Sequence, residues 1–227
     1  MRQFIASALV AVAAIAAPVA AQAEVRITEF MYQGLGSGIN EFIEITNISD
    51  TAVDISGWYF DDDSRTPSVA FGSLFGMLGA HESILITEQS AAAFRASWGL
   101  DASVRIFGNN GVNLGGSDEI NIFSSSSAAD LVDRVAYSGT TRGTTRNRPV
   151  DVSGTLLNSA FVNSAIGDAY GSTFSSNPLP DLGNPGRFPF TPAAAPVPEP
   201  ATWAMMILGM GLAGAALRRR KTAVRFA

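Results

Sequence analysis

Between two apolar ends, this chain is a succession of short runs rich in Val, Ile and Phe, parted by clusters of Gly, Ser, Asn and Asp. Runs of strand length separated so often leave little room for helices and predict an all-β sandwich or barrel. The candidate strands are 25–32, 41–47, 53–55, 58–60, 69–71, 83–87, 104–107, 119–123 and 131–137. In the first, alternation places Val25, Ile27 and Met31 on one face, with Glu29 interrupting the stripe. One helix is predicted over 91–98, with Ser90 as N-cap and Gly99 beyond its end. The stretch 139–184 is rich in Ser, Thr, Gly and Asn and reads as loops with weaker strand signals.

The chain contains no cysteine, which excludes a disulfide framework, thiol catalysis and thiolate metal sites. Charge is unevenly spread. From Glu24 to Pro200 there are nine basic residues, all arginine, against all 20 acidic residues, a formal charge of −11. Such a surface repels nucleic acid phosphates and accepts divalent cations.

The two ends read as targeting segments. Arg2 precedes an apolar run over 4–19, and Ala21 and Ala23 supply small residues at A-x-A positions. This predicts a secretory signal peptide over 1–23, cleaved before Glu24, and hence export by the Sec pathway. Near the other end, a Pro/Ala-rich linker over 189–196 should be extended. Residues 201–217 carry no charge, and about 17 residues lie at the lower limit of a single transmembrane helix. Arg218, Arg219, Arg220 and Lys221 then provide a cytoplasmic stop, with 222–227 as the tail.

A simple anchor does not need the segment Val197, Pro198, Glu199 and Pro200 that precedes the apolar run. In that order the three parts resemble the PEP-CTERM sorting domain of Gram-negative bacteria, here spanning 197–221. The resemblance implies recognition by an exosortase, a membrane protease or transpeptidase. It also implies inner-membrane anchoring during sorting and a final place at the cell surface or outside the cell, with extracellular polysaccharide as a possible associate. Prolines disfavour helix immediately before them, so the motif stays extended where an enzyme can grip it.

A second resemblance covers 24–188. The frame runs from Ile27, Glu29 and Phe30 through Glu41, Phe42, Ile43, Glu44, Ile45 and Asn47. It continues with Val53, Asp54, Ile55, Ser56, Gly57 and Trp58, then Gly79-Ala80 and Asn184-Pro185-Gly186. It looks like the lamin-tail domain, which implies an immunoglobulin-like β-sandwich. There the motif residues are structural: Glu44 accepting hydrogen bonds that fix a turn, Trp58 filling the core.

Few groups offer chemistry. His81, the one histidine, lies in a turn before a strand. No G-x-S-x-G elbow occurs, and the Gly-rich run at 34–38 is followed by neither a helix pattern nor a lysine. The best candidate site is Asp61, Asp62 and Asp63, where a hard cation such as calcium would relieve the repulsion. If the strand continues, only Asp61 and Asp63 converge. The expectation is therefore a non-catalytic surface module, for binding or matrix structure, with no resident cofactor. The alternatives are a secreted hydrolase or a calcium-dependent binding protein acting through 61–63.

Overall fold

The computed structural model describes residues 24–36, 40–72, 75–109, 113–149, 161–189 and 200–218. The chain divides into two compact units, Met1–Phe190 and Thr191–Ala227. In the first, the strands are β1 (Val25–Met31), β2 (Phe42–Asn47), β3 (Val53–Asp54), β4 (Tyr59–Asp61), β5 (Val69–Ala70), β6 (Met77–Leu78) and β7 (Ser83–Thr87). Helix α1 (Ala91–Trp98) follows. Then come β8 (Arg105–Phe107), β9 (Asp118–Phe123), β10 (Leu131–Tyr137), β11 (Arg146–Asn147), β12 (Val162–Asn163), β13 (Thr173–Phe174) and β14 (Leu182–Gly183). The second unit contains α2 (Pro200–Arg218).

Six strands form one sheet in the order β12-β11-β1-β2-β7-β8, and four form another in the order β10-β9-β4-β5. All pairs are antiparallel except β7–β8. The sheets share one core. Ile27, Ile43, Ile45, Ile84 and Ile86 come from the larger sheet, Phe60, Ile120, Ile122 and Val135 from the smaller, and Trp58 packs with them. The expected all-β sandwich is present. Each large apolar side chain so buried contributes about 1.5–3 kcal/mol.

β1 departs from simple alternation. Its register with β2 shifts between Ile27 and Glu29, so Thr28 is an extra residue, a β-bulge. The bulge turns Phe30, not Met31, onto the face that carries Val25 and Ile27. Met31 joins a separate cluster with Phe42, Leu85 and Phe94 on the opposite face, under α1. The predicted stripe of Val25, Ile27 and Met31 is corrected accordingly. Glu29 now lies directly across from Glu44.

α1 forms where the sequence signals it. Ser90 accepts a hydrogen bond from Ala93 N at 3.2 Å, and Gly99 ends the helix at φ 61°, a conformation that favours glycine. Its buried face is Phe94, above β1, β2 and β7. The expected loop region after 139 carries four short strands, and one of them, β11, pairs with β1.

On the β11 side of β1, beyond the end of β11, Ile27 has no strand partner, and side chains take the place of a ladder there. Asp133 Oδ2 accepts from Ile27 N at 2.8 Å, and Arg148 Nε donates to Ile27 O at 2.7 Å. Arg148 and Asp133 pair at 2.6 Å with both side chains buried. The guanidinium also lies 5.0 Å from the centre of the Phe161 ring. This clip ties β10 of one sheet to β1 of the other.

α2 is a 19-residue helix opened by Pro200, a residue suited to the first helical position, and closed by Arg218. Among the described residues, no helix is long and apolar enough to cross a membrane. The transmembrane helix expected over 201–217 is not reproduced among these residues. Those from Met205 to Leu212 include six exposed large apolar residues. The signal peptide over 1–23 lies outside the described residues.

Candidate functional site

The predicted sorting residues are only partly described. Val197, Pro198 and Glu199 lie outside the described residues, as do Arg219, Arg220 and Lys221, and Ala21 and Ala23 at the cleavage site. Pro200 and Arg218 are the first and last residues of α2. Glu24 is described and forms an ion pair with Arg26.

The acidic run lies where β4 ends. One carboxylate oxygen from each of Asp61, Asp62 and Asp63 falls within 4.8 Å of the others. Alternation stops with the strand at Asp61, so Asp62 joins the two residues expected to converge. Asp61 is buried and holds the turn, its Oδ2 accepting from Asp63 N at 3.3 Å and Ser64 N at 2.5 Å. Asp62 Oδ2 accepts from Asn113 N at 2.6 Å, and burial raises its pKa. Nearby, Glu41 Oε2 accepts from Leu114 N at 3.0 Å. Burial, and then the charges of Glu88, Asp62 and Asp118, push the Glu41 pKa up to about 8.

A different pair of acids organises the outer face of the larger sheet. Glu29 and Glu44 are cross-strand partners, and both are fully buried. Glu44 Oε1 accepts from Thr28 Oγ1 at 2.8 Å, Ser83 Oγ at 3.2 Å and Thr46 Oγ1 at 3.3 Å. Its Oε2 accepts from Gly186 N at 2.6 Å. Glu29 Oε1 accepts from Thr145 Oγ1 at 2.5 Å and Asn184 N at 2.8 Å, while its Oε2 is buried with no hydrogen-bond partner. Burial and then the opposing Glu44 charge hold the Glu29 carboxyl well above the ordinary range. Glu44 is raised by burial too, but four hydrogen bonds favour its charged form. Hydrogen bonds therefore offset the effect of burial more fully at Glu44 than at Glu29.

Both acids grip one segment. Asn184, Pro185 and Gly186 form a turn closed by Arg187 N donating to Asn184 O at 3.1 Å, so Glu44 does fix a turn. Only a glycine fits at 183: a Cβ there would lie 2.5 Å from Thr145 Cγ2 and 3.0 Å from Glu29 Oε1. Asp181 pins the other side, accepting from Leu35 N at 2.6 Å and from Asn40 Nδ2.

The held turn forms one wall of a cleft of about 390 Å³. Asn184, Pro185, Gly186 and Arg187 line it together with Trp98, Asp101, Val104 and Thr173. Trp98 is fixed by edge and tilted contacts to Phe42 and Phe94, with ring centres 6.2 and 6.3 Å away. Sequence reasoning noted the Asn184-Pro185-Gly186 turn and the end of α1, but it had no signal that the two would meet.

His81 sits in its predicted turn at φ 59°, its Nε2 2.9 Å from Asp50 Oδ1.

No curated protein matches this chain. The model of the PEP-CTERM protein-sorting motif matches residues 196–221, which include all the predicted sorting and stop residues. That motif implies handling by an exosortase membrane enzyme and, after export, a place outside the cell or at its surface. The Lamin Tail Domain model matches residues 18–139, more than half the chain, ending before the segment that bears Arg148 and the held turn. The chain belongs to the Lamin Tail Domain family.

Proposed function

We propose that the chain leaves the cytoplasm by the Sec pathway, loses 1–23, and is held in the inner membrane by 201–217 until an exosortase acts at Val197, Pro198, Glu199 and Pro200. The 24–188 sandwich is then displayed as a non-catalytic module that binds, or builds, the cell-surface layer. The observation that carries this reading is the order of parts within 196–221: a Pro-Glu-Pro motif, an uncharged helical stretch and an arginine cluster. The chemistry of the domain supports it. Its most deeply buried described acids, Glu29, Glu44, Asp133 and Asp181, are occupied in holding backbone groups.

Fractionation and intact-mass measurement of the wild type beside a Pro198→Ala, Glu199→Ala, Pro200→Ala variant test the proposal. The wild type loses its C-terminal helix and reaches the surface, while the variant stays uncut in the inner membrane. Equal masses and equal fractions for the two would leave a plain tail anchor instead.

Calcium binding at Asp61, Asp62 and Asp63 is a second reading, favoured by the convergence of their oxygens within 4.8 Å. Millimolar calcium should then raise the melting temperature of the wild type but not of Asp63→Asn. An equal response of both would remove it.

A further inference from the structure

We propose that the cleft between the end of α1 and the turn of Asn184, Pro185 and Gly186 is a binding site for a short neutral saccharide. The inference deepens the reading of the sandwich as a displayed binding module and rests on that reading only for its biological setting.

At about 390 Å³ the cleft falls within the roughly 300–1,000 Å³ of small-ligand sites. Its walls are fixed before any ligand arrives. On one side Trp98 is braced by Phe42 and Phe94. On the other, Asn184 N and Gly186 N are held by the buried carboxylates of Glu29 and Glu44 at 2.8 and 2.6 Å. Walls already ordered cost little to immobilise on binding, which matters most for a weakly held polar ligand.

The lining chemistry selects the ligand class. Trp98 supplies an aromatic surface, against which the C–H face of a sugar ring can pack. Around it are polar groups with unused capacity. The Thr173 hydroxyl and the Arg187 guanidinium make no hydrogen bond among the described residues, and both residues are exposed. Asp101 uses Oδ1 on Ser103 N and Oγ, at 2.8 and 2.7 Å, which leaves Oδ2 as an acceptor. Together they offer both donors and acceptors, as a polyol requires. Arg187 and Asp101 also bring opposite charges to the same cleft, so no net charge favours an anion or a cation. Gly99, Gly171 and Gly186 keep side-chain bulk out of the lining. A purely apolar ligand would strand these polar groups, and a strongly charged one would meet a like charge.

The test uses the full chain, purified in a detergent without a sugar headgroup. Cellobiose, maltose and N,N′-diacetylchitobiose are titrated by calorimetry and by saturation-transfer NMR, with glucuronate and a neutral tripeptide as the competing classes. The expected result is saturable binding of at least one neutral disaccharide, with Kd of about 1 mM or tighter. Trp98→Ala and Thr173→Trp, the latter filling the cleft from an exposed strand position, should each weaken it at least about tenfold, and Arg187→Ala about threefold or more. Because Trp98 also packs in the small core, Thr173→Trp is the deciding variant, with its melting temperature checked against the wild type. No saturable binding of any disaccharide up to about 20 mM overturns the proposal, as does undiminished binding by folded Thr173→Trp, or preference for glucuronate or the tripeptide. Surface delivery of Thr173→Trp is followed in parallel. Lost binding with normal delivery leaves the sorting reading intact, and failed sorting with retained sugar binding leaves the cleft standing.

Discussion

The six-stranded sheet buries both of its faces, but by different means. The centre of its inner face is apolar, with Ile27, Ile43, Ile45, Ile84 and Ile86 packed against the smaller sheet. Its outer face is divided. Under α1 it is apolar, with Met31, Phe42 and Leu85 meeting Phe94. Under the segment that returns through Asn184 it is polar, with Glu29, Glu44, Thr46 and Asn147 all buried. An apolar face needs only approximate shape and tolerates exchange among residues of similar volume. A buried polar face tolerates little, because each unpaired group costs about 1–3 kcal/mol. The outer face therefore fixes where the 181–187 segment lies more sharply than packing alone would, and the cleft depends on that placement.

The largest effect should come from the clip that joins the two sheets. Arg148→Ala leaves Asp133 charged and buried without its partner, at a cost of about 3–5 kcal/mol. Chemical denaturation should show it, and Arg148→Met with Asp133→Leu should recover most of the loss. A loss from Arg148→Ala below about 1 kcal/mol would mean that Asp133 simply takes a proton and that the clip is dispensable. On the inner face, Ile43→Ala should cost about 2–5 kcal/mol and lower the protection of all central strands together. Gly183→Ala attacks the outer face alone. Crowding against Thr145 and Glu29 should cost about 1–3 kcal/mol. Amide exchange should then rise at Asn184 and Gly186 while β9 and β10 keep their protection. Equal loosening of both faces would erase the distinction drawn between them.

The smallest effect concerns pH. Glu29, Glu41 and Glu44 have folded-state pKa values raised by burial, to about 8 for Glu41. Each binds a proton more readily in the folded state than in the unfolded chain. The associated stability is complete below about pH 4.5 and falls as pH rises through the folded values. Glu119 and Asp168 act oppositely, since hydrogen bonds lower their pKa and their contribution is lost on acidification. Melting temperature should therefore decline from about pH 5 to about pH 9, and Glu29→Gln should flatten that decline. An unchanged slope in Glu29→Gln would show that the proton does not reside on Glu29.

The strands through β10, except the two-residue β6, and the helix with its Ser90 and Gly99 caps were legible because alternation and capping are local. The sorting motif was legible for a similar reason: its Pro-Glu-Pro segment, uncharged run and arginine cluster follow one another along a continuous stretch of chain. The Thr28 bulge was not legible, because an extra residue shows only when a partner strand sets the register. Without it, Glu29 reads as a fault in an apolar stripe, although it in fact opposes Glu44 on the other face. Arg148 was equally hidden, since nothing local indicates that a guanidinium will replace a missing ladder. By itself, then, the sequence determined the all-β class, the core-forming strands and the sorting signal. Tertiary structure alone decided which loop the buried carboxylates hold and where the cleft opens. Those outcomes depend on residues more than 80 positions apart, such as Trp98 and Arg187 lining one cleft or Glu44 holding Gly186.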